Sequence, residues 1–348
     1  MLKIGVLGCG RIGRMHAANI AAHPRTKLAS VYDVNRAAAD EVAAMLAVPA
    51  LDSADAMFDT NDVDAVLIAT ATDTHVNYIE QAVAAGKPVL CEKPIDLDLK
   101  RVDRCAVNIR GSKLPIMIGF VRRFDPGHAA VRAAIEGGEI GELHQVIITS
   151  RDPGMAPAAY IRVSGGIFRD MTIHDFDMAR FMLGEEPVEV FATGSRLVDA
   201  DLMAETNDWD TVTVVLSTAS GKQCIINNSR RAVYGYDQRV EAFGSAGMAI
   251  SENRRAHEAR IYADGLTNRA QPYLHFFIER YREAFNAEIE DFVDAIESGR
   301  QPSVVFEDGR LALVLAEAAI KSVAERRVVR TSEIGGGNVG QIWTFHRR

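Results

Sequence analysis

Within Ser164–Leu183, reading SGGIFRDMTIHDFDMARFML, Asp170, His174 and Asp177 recur at i, i+4 and i+7. That spacing puts all three on one face of a helix. A histidine with a carboxylate one turn to either side can take and release a proton, because the anions favour and orient an imidazolium. The same pattern also fits a solvated helix face. Gly165-Gly166 breaks the backbone ahead of this stretch and Gly184 ends it, so one helical run is expected between them. Ile173, Phe176, Phe181 and Met182 are its candidates for seating the helix on a core.

A second chemical signature lies at the start of the chain. The apolar run Leu2–Leu7 leads into Gly8-Cys9-Gly10-Arg11-Ile12-Gly13, and a helical stretch follows to about His23. Strand, GxGxxG and helix in that order form a dinucleotide cradle. The first glycine permits the tight turn, the second lets a pyrophosphate approach the backbone, and the third lets helix and strand pack closely. A second strand, Lys27–Tyr32, ends on Asp33, placed to accept the adenosine ribose hydroxyls and repel a 2′-phosphate. NAD is therefore expected over NADP, with Arg36 the nearby cation that bears on that choice.

Strand and helix keep alternating: Ala65–Ala69, Asp73–Ala85, Pro88–Cys91, Leu97–Ile109 and Leu114–Phe120. In an open parallel sheet, ligands lie beyond the carboxyl ends of the strands. The loop with Thr70, Thr72 and His75, and the segment Glu92-Lys93-Pro94, therefore face the nucleotide side. Thr70 and Thr72 could cap a helix or touch the cofactor, and His75 also reads as a helix-start residue. Lys93 is either a cation at the mouth of a site or a surface lysine before a proline. Arg122-Arg123 follows the last strand, where the guanidinium groups could hold a ligand or pair with surface carboxylates.

From Asp125 the pattern changes. One helix, Gly127–Glu136, leads into a succession of strands: His144–Ser150, Val188–Leu197, Thr211–Thr218, Gln223–Asn228, Arg239–Phe243 and Ala249–Ser251. Successive strands without intervening helices predict a mainly antiparallel sheet in an α+β arrangement. With helices on one face, the other is open to a subunit contact. Two helices, about Phe276–Glu297 and Asp308–Glu325, precede Val328–Arg330, and the second is apolar enough to pack back on the first domain. The expected division is a Rossmann domain over 1–123, an α+β domain over 124–334, and a tail over 335–348 without an assigned role.

The 348 residues exceed one ordinary core. A formal charge of −8 argues against nucleic acid or an anionic membrane as partner. Cys9, Cys91, Cys105 and Cys224 lie far apart, so no zinc ligand set or disulfide framework is expected. No apolar run reaches bilayer length and no leader pattern opens the sequence, so a cytoplasmic protein is the expectation.

The glycine motif, Glu92-Lys93-Pro94 and Gly165-Gly166…Asp170…His174 together resemble the Gfo/Idh/MocA oxidoreductases, over roughly residues 1–334. GFVRRFDPGH (Gly119–His128), SRDPG (Ser150–Gly154) and YGYDQRVEAFGSAGM (Tyr234–Met248) are similar to segments of its inositol-oxidising members. The resemblance implies NAD-dependent oxidation of a ring-polyol secondary alcohol, most closely myo-inositol to its 2-keto form in inositol catabolism. It implies a homodimer or homotetramer, and Lys93, Asp170 and His174 as the catalytic set. On the substrate side it adds Arg122, Asp152 and Tyr236 to those three, and it puts the aromatic Tyr281 near the nicotinamide. Several inositol dehydrogenases carry asparagine where Asp152 stands, a departure that bears on substrate preference.

The residues give that chemistry a physical basis. Alcohol oxidation needs a hydride acceptor and a base for the hydroxyl proton. The chain has no visible zinc site and no Tyr-x-x-x-Lys pair. His174 is the expected base, oriented by Asp170, with Lys93 on the reacting oxygen. The alternatives are scyllo-inositol, another inositol isomer or an aldose as substrate, or a catalytically silent NAD-sensing regulator.

Overall fold

The computed structural model describes residues 1–335, so the tail expected over 335–348 lies outside the described residues apart from Gly335. Five short strands, Leu2–Leu7 (β1), Thr26–Tyr32 (β2), Ala65–Ile68 (β3), Val89–Cys91 (β4) and Ile116–Ile118 (β5), form a sheet in the order β2-β1-β3-β4-β5. All four pairings are parallel. Every residue of β3, β4 and β5 is buried, which is why these strands read as continuous apolar runs. The strand order reverses direction at β1 and β3, the place where this architecture binds ligands beyond the strand ends.

Helices Arg11–Ala22, Arg36–Leu46, Thr72–Ala84 and Leu99–Asn108 connect the strands, with a short Asp55–Asp59 helix before β3. Arg36–Leu46 escapes the sequence reading because its inward face is Ala39, Val42 and Ala43, a weak apolar stripe. The Leu99–Asn108 helix starts where Asp98 accepts a hydrogen bond from the Lys100 amide at 2.9 Å.

The first compact unit comprises Met1–Phe124 together with Glu283–Leu311. The sequence reading assigns 283–311 to the second domain and sends the last helix back. The first turns of that last helix, Phe306–Glu325, do lie in this unit, and the helix before it, Arg282–Ser298, packs here as well by burying Ala284, Phe285, Ile289 and Phe292. His23 pairs with its Glu290 at 2.7 Å and Arg25 with its Asp294 at 2.6 Å. Met117 in β5 forms an isolated bridge with Val305.

The second unit comprises Asp125–Arg282 and the described residues from Ala312 onward. Its sheet is built from Leu143–Arg151 (β6), Pro187–Ser195 (β7), Thr211–Thr218 (β8), Gln223–Ser229 (β9), Asp237–Gly244 (β10), Met248–Ser251 (β11) and, after a hairpin of Arg260–Ala263 (β12) and Leu266–Ala270 (β13), Val329–Arg330 (β14). The order is β11-β10-β6-β9-β8-β7-β14. Only β6 and β9 pair in parallel; the other neighbours are antiparallel. Burial alternates along the strands, with Val146, Ile148, Val212, Val214, Cys224 and Ile226 turned to the core.

The stretch Ser164–Leu183 is not one helix. Ile167–Asp170 and Ile173–Leu183 are separate, joined through Met171 and Thr172. The second is buried on nearly every side, with only Phe181 of its expected seating residues half-exposed. Inward polar positions are accommodated by partners: Asp175 accepts from Ser150 Oγ at 2.5 Å and from Asn228 Nδ2 at 2.8 Å.

Candidate active site

In the first unit the glycines divide by role. Gly8 has φ +99°, and a Cβ there would lie 2.4 Å from the Ala69 carbonyl oxygen. At Gly13 a Cβ would lie 1.9 Å from the Gly8 oxygen, so any side chain would force helix and strand apart. Gly10 differs: a Cβ there meets nothing within 4 Å, and Gly10 caps the Arg11–Ala22 helix without a side chain of its own. The open position at a helix N-terminus is the place for a pyrophosphate, with exposed Arg11 and half-buried Ile12 in the first turn.

Asp33 is held by this loop. Its Oδ2 accepts from the Cys9 amide at 2.6 Å and its Oδ1 from the Asn35 amide at 2.7 Å. The carboxylate is thereby fixed at the carboxyl end of β2, where ribose hydroxyls would be read. Arg36 pairs with Asp40 at 2.8 Å and with Asp52, so a 2′-phosphate would compete with two carboxylates for it. These features fit NAD.

Thr70 and Thr74 share a hydroxyl–hydroxyl contact of 2.6 Å, and Thr72 opens its helix. His75 is buried, with Nδ1 2.8 Å from the Pro94 oxygen and Nε2 3.1 Å from the Thr70 oxygen. Burial lowers its proton affinity despite these carbonyls. Its side chain, expected on the cofactor side, braces two loops from within.

Glu92 and Lys93 follow β4, and the Lys93–Pro94 bond is cis. Glu92 Oε1 lies 2.8 Å from Nε2 of buried His16, and the Lys93 amide donates to Glu92 Oε2 at 3.3 Å. Burial opposes ionisation of Glu92, but the His16 hydrogen bond and the nearby Lys93 charge bring its carboxyl below the usual range. The two arginines after β5 diverge. Arg122 is buried in the turn Val121–Phe124, whereas Arg123 pairs with Asp308 at 3.0 Å.

In the second unit, Asp170 ends the short Ile167–Asp170 helix and His174 lies in the first turn of the next. Every residue from Met171 to Arg180 is buried except His174. Its Nδ1 is also buried. Asp177, expected to flank it on one exposed face, is buried and 3.7 Å from Arg180. Tyr160 Oη donates to Asp170 Oδ1 at 2.7 Å and Arg230 Nη1 to Asp170 Oδ2 at 3.2 Å.

Asp152 is half-buried and bound through its backbone to Ser229 and Ala232. Tyr236 is buried edge-on to Phe276 and Tyr281. Tyr281, expected near the nicotinamide, is fully buried, its hydroxyl donating to Gln238 at 3.3 Å.

Sequence reasoning missed His16, Glu288, Tyr160, Asp208 and Arg230. His16 lies one turn beyond Gly13 on an apolar face, a signal within reach. A single arginine after a strand carries none. Among the described residues no group of three or more His, Cys, Asp or Glu side chains could hold a metal ion. No described helix is long and apolar enough to cross a membrane.

Comparison with known proteins agrees with this arrangement. Residues 2–120 match the model of an oxidoreductase family with an NAD-binding Rossmann fold, and residues 128–250 that of the GFO/IDH/MocA C-terminal domain. An inositol 2-dehydrogenase from Rhizobium meliloti is 50% identical over 94% of this chain and 98% of its own. The crystal structure of a myo-inositol dehydrogenase from Corynebacterium glutamicum superposes with a TM-score of 0.90 at 46% identity, covering 95% of this chain and 98% of that one. A scyllo-inositol dehydrogenase from Lactobacillus casei, solved with bound NAD(H) and scyllo-inositol, gives 0.88 at 28% identity over 95% and 99%. With a glycine cradle and an acid-ended second strand ahead of a mainly antiparallel sheet, the chain belongs to the Gfo/Idh/MocA family of NAD-binding oxidoreductases.

Proposed function

We propose that this protein oxidises a ring-polyol secondary alcohol to a ketone with NAD, and that myo-inositol, converted to its 2-keto form in inositol catabolism, is its substrate. The observation that carries the catalytic part is His174, half-exposed on a helix turn where its neighbours are buried, four residues beyond Asp170. The names of the Rhizobium and Corynebacterium relatives support the substrate.

NAD, when bound, supplies the hydride acceptor. His174 takes the hydroxyl proton at Nε2, and Asp170 stabilises the resulting imidazolium. The Lys93 ammonium holds the reacting oxygen and offsets developing alkoxide charge. Arg122, Asp152 and Tyr236 provide donors and acceptors for the remaining hydroxyls. Presence of Lys93, Asp170 and His174 together disfavours a silent regulator.

The chain acts as a homo-oligomer, a tetramer or dimer, in the cytoplasm. Support for assembly comes from the sheet face away from the helices, where Phe191, Val215, Ile225, Ile147, Glu241 and Ile250 stand in register across six strands. Five of the six are apolar and none is fully buried.

The test is NADH formation with NAD or NADP against myo-, scyllo- and D-chiro-inositol, glucose and xylose. Preference for myo-inositol with NAD supports the reading. Preference for scyllo-inositol, the compound bound to the Lactobacillus neighbour, would keep the mechanism and change the isomer. Silence across the panel would reject it.

A further inference from the structure

Arg230 follows β9 and is 2% exposed, the bulkiest of the fully buried side chains among the described residues. A guanidinium stays charged at any working pH, so burial at this depth demands anionic partners. Two carboxylates supply them. Nη1 donates to Asp170 Oδ2 and Nη2 to Asp208 Oδ2, both at 3.2 Å. Asp208 is itself fixed, because its Oδ1 accepts from the Ile167 amide at 2.9 Å, at the start of the short helix that ends in Asp170. Gly166, with φ +86°, allows this approach; a Cβ there would lie 3.0 Å from the same oxygen. The Arg230 amide is also anchored, donating to the Asp210 oxygen at 2.8 Å.

Both oxygens of Asp170 are thus spoken for, one by Arg230 and the other by Tyr160. The remaining charged groups on these elements have other partners. Arg169 pairs with Glu317 at 2.5 Å, Asp177 faces Arg180, and Asp175 is held by Ser150 and Asn228. Arg230 and Asp208 are therefore two fixed charges tied to Asp170.

We propose that Arg230 is a positioning residue for Asp170, its guanidinium orienting the carboxylate and Asp208 acting as the strut that holds the guanidinium. It rests on the reading of Asp170 and His174 as the acid–base pair. His174 then responds to Asp170 together with Arg230 and Asp208, and not to Asp170 alone.

This assignment predicts shifts of opposite sign. Arg230→Gln removes the cation, strengthens the negative field and favours the imidazolium, so the acid limb of kcat/KM moves to higher pH. Asp208→Asn removes one anion and moves the same limb to lower pH. Shifts of roughly 0.5–1 unit are expected for charges at this remove. Loss of Asp170 orientation should also lower kcat in Arg230→Gln by about 10- to 100-fold, with KM changed much less.

A merely structural role would lower activity without moving the limbs apart. The experiment is the pH profile of kcat/KM for wild type, Arg230→Gln and Asp208→Asn, with Asp170→Asn measured alongside. Limbs displaced in opposite directions support the assignment. Limbs coincident with wild type overturn it, provided Asp170→Asn is impaired. Wild-type turnover in Asp170→Asn would instead overturn the reading on which it rests. Should Arg230→Gln fail to fold, the downward shift in Asp208→Asn decides alone.

Discussion

Nε2 of His16 lies 2.8 Å from Oε1 of Glu92, joining the helix that follows the glycine loop to the segment that carries Lys93. Glu288, from the Arg282–Ser298 helix, is fully buried in the same unit, and both its carboxyl oxygens lack a hydrogen-bond partner. Burial, with the charges of Glu92 and Asp291 added, pushes its carboxyl well above the ordinary range. Glu92 is therefore the ionised member of the pair and Glu288 the neutral one.

That difference makes Glu288 a cost that grows with pH. The unfolded chain loses this proton near pH 4.3, whereas the folded protein keeps it, so stability falls as pH rises above that value. Glu288→Gln keeps the neutral shape and removes the cost. Its stabilisation should be roughly 1–3 kcal/mol at neutral pH and shrink toward zero near pH 4. Denaturant titrations across this range test it; a difference independent of pH would contradict the neutral-acid assignment.

His75 follows the opposite rule. Burial depresses its proton affinity, so the folded state holds it neutral while the unfolded chain takes up a proton below about pH 6.5. Its contribution is complete above that value and lost as pH falls. His75→Phe fills the space but removes the single N–H that neutral His75 donates to one of the two facing carbonyl oxygens, Pro94 or Thr70. A loss of about 1–3 kcal/mol is expected at pH 8, narrowing toward pH 5, by thermal or denaturant unfolding.

Asp33 links cofactor choice to the glycine loop through the Cys9 amide. Asp33→Ala should raise the KM for NAD about 10- to 100-fold, leave kcat nearer to wild type, and narrow the preference over NADP. Steady-state kinetics with both cofactors measure this. An unchanged NAD KM would remove Asp33 from the cofactor site.

Much of this was legible in the residues, for reasons that also mark the boundary. Glycines at 8, 10 and 13 and the acid at 33 announce themselves because backbone approach and ribose binding tolerate few alternatives. Long strands such as Thr211–Thr218 carry their alternation openly. Arg36–Leu46 does not, since alanine gives a weak periodic signal. The split between Asp170 and Ile173 is tertiary, because the expected helical run is interrupted where the chain meets partners distant in sequence. Arg230 meets Asp170 across 60 residues and Asp208 across 22, a relation that no local spacing encodes.

The central claim is that His174 takes the hydroxyl proton while NAD accepts hydride. Its most direct test is the initial rate of NADH formation from myo-inositol by wild type and by His174→Ala, with matched thermal unfolding to establish that both are folded. The predicted result is a fall in kcat of roughly 10²- to 10⁴-fold. Wild-type turnover in the folded variant would contradict the account.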